Sequence, residues 1–404
     1  MTFRRNTIVG GDDNRMKLAS RMSRLGTETA FEVLARAKSL EALGRNIVHL
    51  EIGEPDFDTP QHIIDEAVHA LNQHATHYTP SAGIAELRQA IARYINRTRN
   101  LDVSPDNVVV VPGGKPIIFF SIMALINRGD EVIYPNPGFP MYESMINFVS
   151  AHAVPIPLKM ERDFAFDIND LEKLITPCTR LLILNSPANP TGGVLTRSDL
   201  EAIAQLVISH DLIVLSDEIY SRIVYDGEFC SIASLPGMLE RTIILDGFSK
   251  TYAMTGWRLG YGVMPVDLAQ AVSRLITNST SCTATATQIA GVKALTAPQD
   301  SVDQMVAKFK ERRELLVNGL NQIPGFKCLL PKGAFYAFPN ITGTGCKAKE
   351  LADYLLADAS VATLAGTAFG QYGEGFLRLS YATSIENLNK ALDRIDVAVR
   401  KLEH

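Results

Sequence analysis

Residues 245–262 read LDGFSKTYAMTGWRLGYG. With the four residues before them they extend the apolar run RTIILDGF, whose β-branched and aliphatic composition is that of a buried strand. The run ends in Ser249-Lys250, and Arg258 follows a Thr-Gly-Trp turn. A lysine just past a buried strand is either a solvated end-marker or an amine held in place for chemistry. What lies at the ends of the other strands decides between the two.

Similar runs recur upstream as NVVVVPGGK (107–115), DEVIYPN (130–136), RLLILNSPANPTGG (180–193) and DLIVLSDEIY (211–220), with RLGYGVM (258–264) following the Lys250 turn. Helical stretches separate the upstream runs: PIIFFSIMALINRG (116–129), a segment near 141–150, and SDLEAIAQLVISH (198–210). Near-continuous Val/Ile/Leu strands alternating with helices predict an α/β architecture with a mostly parallel sheet buried on both faces. The short connection around Lys250 predicts that RLGYGVM runs antiparallel to its neighbour. Beyond residue 300 the texture changes to a long charged helix (301–322), FKCLL, GAFYAFPN, a helix at 349–357, FLRLSYA and a final helix from 385. That pattern predicts a small α+β domain. The N-terminal helix AFEVLARAKSLEAL, closed by Gly44, is expected to join it, and a short strand and Gly-Pro loop follow in IVHLEIGEPDFDTP. The expected division is therefore 1–60 contributing to the small domain, 61–300 as the large domain, and 301–404 as the rest of the small one.

Composition narrows the function. A chain of 404 residues with 46% hydrophobic and 21% charged residues is ordinary for a globular enzyme of two domains. A net charge of −5 and the lack of a long Lys/Arg block argue against a general nucleic-acid surface. No run of about 18 apolar residues is present, so no spanning helix is expected. The basic start (Arg4, Arg5, Arg15, Lys17) precedes no apolar segment of a signal peptide, and residues 1–20 are expected to be loosely ordered. Cys178, Cys230, Cys282, Cys328 and Cys346 are dispersed with no CxxC pair, which predicts reduced thiols in a cytoplasmic protein. His62, His69 and His74 do not stand at ligand spacing to a cysteine pair, so no metal site is expected.

In an open α/β sheet, ligands bind beyond the carboxyl ends of the strands. Those ends carry Gly113-Gly114-Lys115, Asn136-Pro137-Gly138-Phe139, the segment from Asn185 to Pro190, Asp217 to Tyr220, and Ser249-Lys250. The glycine pair opens a helix and suits a phosphate, yet neither GxxxxGK[ST] nor GxGxxG occurs, which disfavours nucleoside triphosphates and dinucleotides. Phe139 is either a stacking platform or core. Asp217, directly after LIVLS, calls for a cationic partner such as a protonated ring nitrogen. Lys250, desolvated, is an amine nucleophile, and Ser249 and Arg258 offer a hydroxyl and a guanidinium fork to a phosphate. A phosphate, an aromatic ring, a ring nitrogen and an aldehyde together describe pyridoxal 5′-phosphate.

The chain resembles the fold-type I, class I/II aminotransferases, and within them the bacterial aspartate aminotransferase subgroup. The resemblance rests on EIGEPDFDTP (51–60), THYTPSAGIAELRQAI (76–91), VPGGK (111–115), NSPANPTGG (185–193), SDEIY (216–220), SKTYAMTGWRLGY (249–261) and RLSYAT (378–383), in family order across nearly the whole chain. It implies a seven-stranded, mostly parallel sheet in the large domain. It implies that Lys250 is the Schiff-base lysine, with Asp217 on the pyridine nitrogen and Asn189 and Tyr220 on the phenolic oxygen. Phe139 would lie on the cofactor face, and Gly114, Lys115, Ser249 and Arg258 around the phosphate. Tyr78 would reach the phosphate from the other subunit of a homodimer with shared sites. Arg378 would pair with the substrate α-carboxylate, assisted by the Gly53 backbone, with Asn189 also near the substrate.

The implied reaction moves an amino group between an L-amino acid and a 2-oxo acid by a ping-pong route, with Lys250 carrying the proton. Lys115 favours aspartate and glutamate with 2-oxoglutarate, since its position in the aspartate subgroup receives a side-chain carboxylate. GGKPII here, where relatives often have GGKQAL, and Phe31 in the AFEV segment leave aromatic, prephenate, alanine and branched-chain substrates open. A carbon–sulfur lyase would use the same fold and lysine. A cofactor-sensing regulator would carry an added DNA-binding domain, for which the roughly 20 residues before the first helix are expected to leave no room.

Overall fold

The computed structural model describes residues 16–403; Arg4, Arg5 and Arg15 lie outside the described residues, as does most of the segment expected to be loosely ordered. Twelve strands are defined among the described residues: β1 (Val48–His49), β2 (Val108–Val111), β3 (Glu131–Asn136), β4 (His152–Pro157), β5 (Thr179–Asn185), β6 (Ile213–Asp217), β7 (Thr242–Gly247), β8 (Gly260–Val263), β9 (Tyr336–Ala337), β10 (Val361–Ala362), β11 (Leu364–Ala365) and β12 (Leu377–Ser380). Seven of them form one sheet in the order β2-β8-β7-β6-β5-β3-β4. β8 is antiparallel to both β2 and β7, and the remaining pairings are parallel. The α/β architecture and the reversed strand after the Lys250 turn are as the sequence predicts.

The near-continuous apolar strands follow from helices on both faces. Val108 and Val110 point into one cluster with Ile244 and Tyr261, under Ile63, Leu87 and Ala290 of three helices. Val109 and Val111 point into another with Ile183 and Leu215, against Ile117 and Val272. Period-two alternation therefore sends valines both ways, and each buried side chain contributes about 1.5–3 kcal/mol of transfer free energy. One strand escapes the sequence pattern. β4 reads HAVPIP, and its two prolines obscure it; it pairs with β3 alone, at the sheet edge, where a missing N–H costs no ladder bond.

The charged helix expected at 301–322 is Asp300–Leu320, and the last helix is Ile385–Arg400. They pack on each other and on the sheet β11-β12-β9 in a second core that includes Phe309, Phe335 and Leu379. FKCLL forms no strand, only an isolated bridge between Lys327 and Asn340. The N-terminal helix is Thr29–Ala42, ended by Gly44 at φ 85°. β1 pairs in parallel with β10, Arg36 reaches Asp353 at 2.5 Å, and Arg394 donates to the Asn46 carbonyl at 2.8 Å. The two ends of the described chain thus meet.

Candidate active site

β5 ends in Asn185 and β6 in Asp217, and these two residues are register partners at the carboxyl edge of the sheet. β2 ends two residues before Gly113-Gly114, and β7 leads directly into the short helix Phe248–Thr251 that carries Ser249 and Lys250. A cavity of about 600 Å³ opens at this edge. Gly53, Gly114, Lys115, Phe139, Asn189, Asp217, Tyr220, Ser249, Lys250, Arg258 and Arg378 line it. Eleven of the twelve residues expected in the site therefore converge, drawn from loops far apart in sequence. Tyr78 does not line this cavity and is 88% exposed.

Lys250 donates to the Gly53 carbonyl at 2.5 Å. Burial lowers its pKa to about 8, against the raising influence of Glu54, and Arg378, Arg258 and Lys115 push the same way as burial. A neutral, nucleophilic amine is thus accessible near physiological pH. Gly53 has no room for a side chain, since a Cβ there would meet Tyr336 Oη at 2.1 Å.

Asp217 is 5% exposed and pairs with no basic side chain among the described residues. Tyr142 Oη donates to its Oδ2 at 2.6 Å, and the Ile219 N–H to its Oδ1 at 3.3 Å. Burial raises its pKa to about 6, with Asp246 and Glu218 adding to the rise and the Tyr142 bond opposing it. Beneath it, Arg99 is buried against Glu218 at 3.2 Å and Asp246 at 2.5 Å, and also donates to Ser221. That one guanidinium offsets two of the three clustered carboxylates and leaves Asp217 without a cation.

At the opposite end, Arg258 lies in the left-handed region at φ 54°, and its Nη1 donates to the Thr255 carbonyl at 2.7 Å. Gly113, at φ 82°, admits it: a Cβ there would sit 2.0 Å from Arg258 Nη2. The guanidinium, the buried Ser249 and the start of helix Lys115–Leu125 after Gly114 form an anion-binding end.

Arg378, on β12, is buried with its guanidinium 4.5 Å from the Tyr336 ring and 4.8 Å from that of Phe369. Its Nη1 donates to Asn189 Oδ1 at 3.1 Å, its Nη2 donates to the Glu51 carbonyl, and its Nε has no protein partner among the described residues. Tyr220 Oη is 2.7 Å from Tyr336 Oη. Lys115 does not extend freely into the cavity: its ammonium pairs with Glu28 and lies 5.5 Å from the Phe139 ring centre.

Tyr142, Tyr336, Arg99 and Glu28 are absent from the sequence-derived set. Tyr142 stands in an amphipathic helix and reads as core; Tyr336 lies in GAFYAFPN, where aromatic residues cluster; Arg99 sits in the polar run NRTRN and reads as surface; and Glu28 precedes a helix. None carries a local signal.

Pyridoxal phosphate fits this set. An uncompensated buried carboxylate, an amine of lowered basicity and a glycine-bordered guanidinium that offers an anion site all line the same cavity. Comparison with known proteins agrees. Residues 45–395 match the family model described as "Aminotransferase class I and II". The chain is 40% identical to an aromatic-amino-acid aminotransferase 2 of Thermococcus litoralis over 390 residues, covering 96% of this chain and 99% of that one. It is 41% identical to an aspartate aminotransferase of Pyrococcus abyssi, covering 88% and 92%. The solved structure of an aspartate aminotransferase from Rhizobium meliloti superposes with a TM-score of 0.92 at 38% identity, covering 96% and 99%. A fold, a lysine and a strand-end cavity that were each expected from sequence thus coincide with a match over most of the chain, which belongs to the class I and II aminotransferases and is a pyridoxal-phosphate-dependent transaminase.

Proposed function

We propose that the chain exchanges an amino group between an acidic L-amino acid, aspartate or glutamate, and 2-oxoglutarate, with pyridoxal phosphate held in the strand-end cavity. The observation that carries it is the meeting of three groups in one cavity: the Lys250 amine, the Asp217 carboxylate and the Arg378 guanidinium. When bound, the cofactor supplies an aldehyde for the amino group and a ring that takes up electrons from the substrate Cα.

The protein's own residues do the rest. Asp217 presents its charge to a protonated ring nitrogen, and that cation would restore the carboxylate's ordinary acidity. Arg258, Ser249 and the Gly114 end would hold the phosphate, Phe139 would offer its ring to the cofactor, and Asn189 and Tyr220 would donate to the phenolic oxygen. Arg378 holds the substrate α-carboxylate beside Gly53, with Asn189 fixing the guanidinium. Lys250, its basicity lowered by burial, would carry the proton that leaves the substrate Cα to the carbon that takes over the amino group. Lys115, on the cavity wall, receives the side-chain carboxylate.

A second substrate class, aromatic amino acids, is favoured by a specific feature: Phe31, Ile118 and Phe139 line the same cavity. Exposed Tyr78, away from its own cavity, supports a homodimer in which each subunit completes its neighbour's site. The pairing of β1 with β10 supports the division into 61–300 as the cofactor-binding part and 1–60 with 301–404 as the smaller part. All five cysteines are free thiols, which supports a reducing, cytoplasmic setting, and no helix among the described residues is long and apolar enough to cross a membrane.

The test is a single half-reaction. Cofactor-loaded protein is mixed with one amino acid and no acceptor, and the cofactor absorbance and the released 2-oxo acid are followed. Conversion by aspartate and glutamate supports the dicarboxylate reading, and conversion by phenylalanine and tyrosine alone replaces it with the aromatic one. No conversion by any amino acid overturns the assignment of these residues.

A further inference from the structure

Lys115 carries the choice between acidic and apolar side chains in the reaction proposed above, and it already has a carboxylate partner. Glu28 occupies the N-cap position of helix Thr29–Ala42, yet its side chain makes no capping bond and pairs with Lys115 instead. Its backbone is held from upstream. The Gly26 N–H donates to Ser144 Oγ at 2.8 Å, and Arg24 Nε donates to the Asn147 carbonyl at 2.9 Å. Glu28 and Phe31 both line the cavity beside Lys115 and Phe139. The carboxylate therefore stands where the acidic end of a substrate would seek the ammonium. Neither side chain is locked: Lys115 is 44% and Glu28 27% exposed, so a displaced Glu28 turns into water.

We propose that Glu28 is an internal competitor for the substrate's side-chain carboxylate and so sets the ratio of acidic to aromatic amino acids that the site accepts. With the pair intact, an aromatic side chain meets a neutral wall of Phe31, Ile118 and Phe139 and strips no lone ammonium of its water. A dicarboxylate exchanges one ion pair for another and approaches a like charge until Glu28 has left. This inference rests on the reading of the cavity as the amino-acid site.

The experiment measures, by calorimetry on the cofactor-loaded protein, the affinity of two unreactive acids: succinate and 3-phenylpropionate. Glu28→Gln is expected to tighten succinate by about three- to tenfold, in line with an exposed ion pair plus relieved repulsion, and to leave 3-phenylpropionate within about twofold. In a Lys115→Met background the gain from Glu28→Gln should shrink to the part contributed by direct repulsion, because the competition for the ammonium is gone. Unchanged or weaker succinate binding in Glu28→Gln, or the same gain without Lys115, overturns the role of Glu28 while the aminotransferase reading stands. If the parent protein binds neither acid, the reading of the cavity itself falls, and this inference with it.

Discussion

At the scale of single residues, the site is built from groups held in unfavourable surroundings. Burial raises Asp217 from 3.8 to about 6, so between these values the folded protein binds a proton that the unfolded chain does not. Stability of the cofactor-free protein then falls as pH rises from about 4 to 6. Lys250 is displaced the other way, from 10.5 to about 8, so its contribution recovers as pH rises from about 8 to 10.5. We expect cofactor-free Asp217→Asn to melt several degrees above the parent at pH 7 and level with it near pH 4, by calorimetry. A parent-to-variant difference that is flat across that range would contradict the buried-charge account. The same variant should lose most of its transaminase activity, since an amide cannot balance a ring cation. Lys250→Ala should lower the half-reaction rate by at least about 10²–10⁴-fold, the usual worth of a positioned proton carrier. Arg378→Lys keeps the charge and loses the fork, and should raise the KM for the amino acid by about 10–100-fold, the worth of a charged hydrogen bond.

At the scale of elements, the site depends on contacts that no motif announces. Arg99 ends the helix Ala85–Arg99 and ties it to Glu218 after β6 and Asp246 in β7. Arg99→Met leaves two buried carboxylates uncompensated and should cost about 3–5 kcal/mol, read as a lower urea midpoint. A midpoint unchanged from the parent would show that the two acids are neutral in the fold. The sequence shows Arg99 only as one charge among NRTRN, because its partners lie 119 and 147 residues away. β4 was equally illegible for a different reason: prolines depress strand propensity, and only its edge position makes them harmless. By contrast, β2, β5, β6 and β7 were plain in the sequence because burial on both faces leaves no polar alternation to blur them.

At the scale of the whole molecule, the cavity gathers Gly53, Lys250 and Arg378 from parts of the chain up to 325 positions apart, joined by helices and sheets that each fold around separate cores. Tyr78 predicts a further level. If it completes the neighbouring subunit's site, then mixing inactive Lys250→Ala with impaired Tyr78→Ala should produce dimers holding one intact site. Activity above the sum of the separate variants, measured after reversible dissociation, is the expected outcome. Strict additivity would leave Tyr78 as an exposed residue with no part in the site.

The amino-acid sequence by itself determined the α/β architecture, the reversed strand β8, and eleven residues that converge on one cavity. Nine of the eleven stand where strand burial and strand-end chemistry are written locally, in the loops that close apolar runs and the turn after Lys250, whereas Gly53 and Arg378 came only from the resemblance to the aminotransferase family. Only the tertiary structure decided which partner each of those residues has. That Asp217 takes its hydrogen bond from Tyr142, that Tyr336 lies against both Tyr220 and Arg378, and that Lys115 is already held by Glu28 are facts of contact between distant segments. Local propensity carries no information about them, because each pairing is set by how separate helices and sheets pack, and packing is a property of the whole chain.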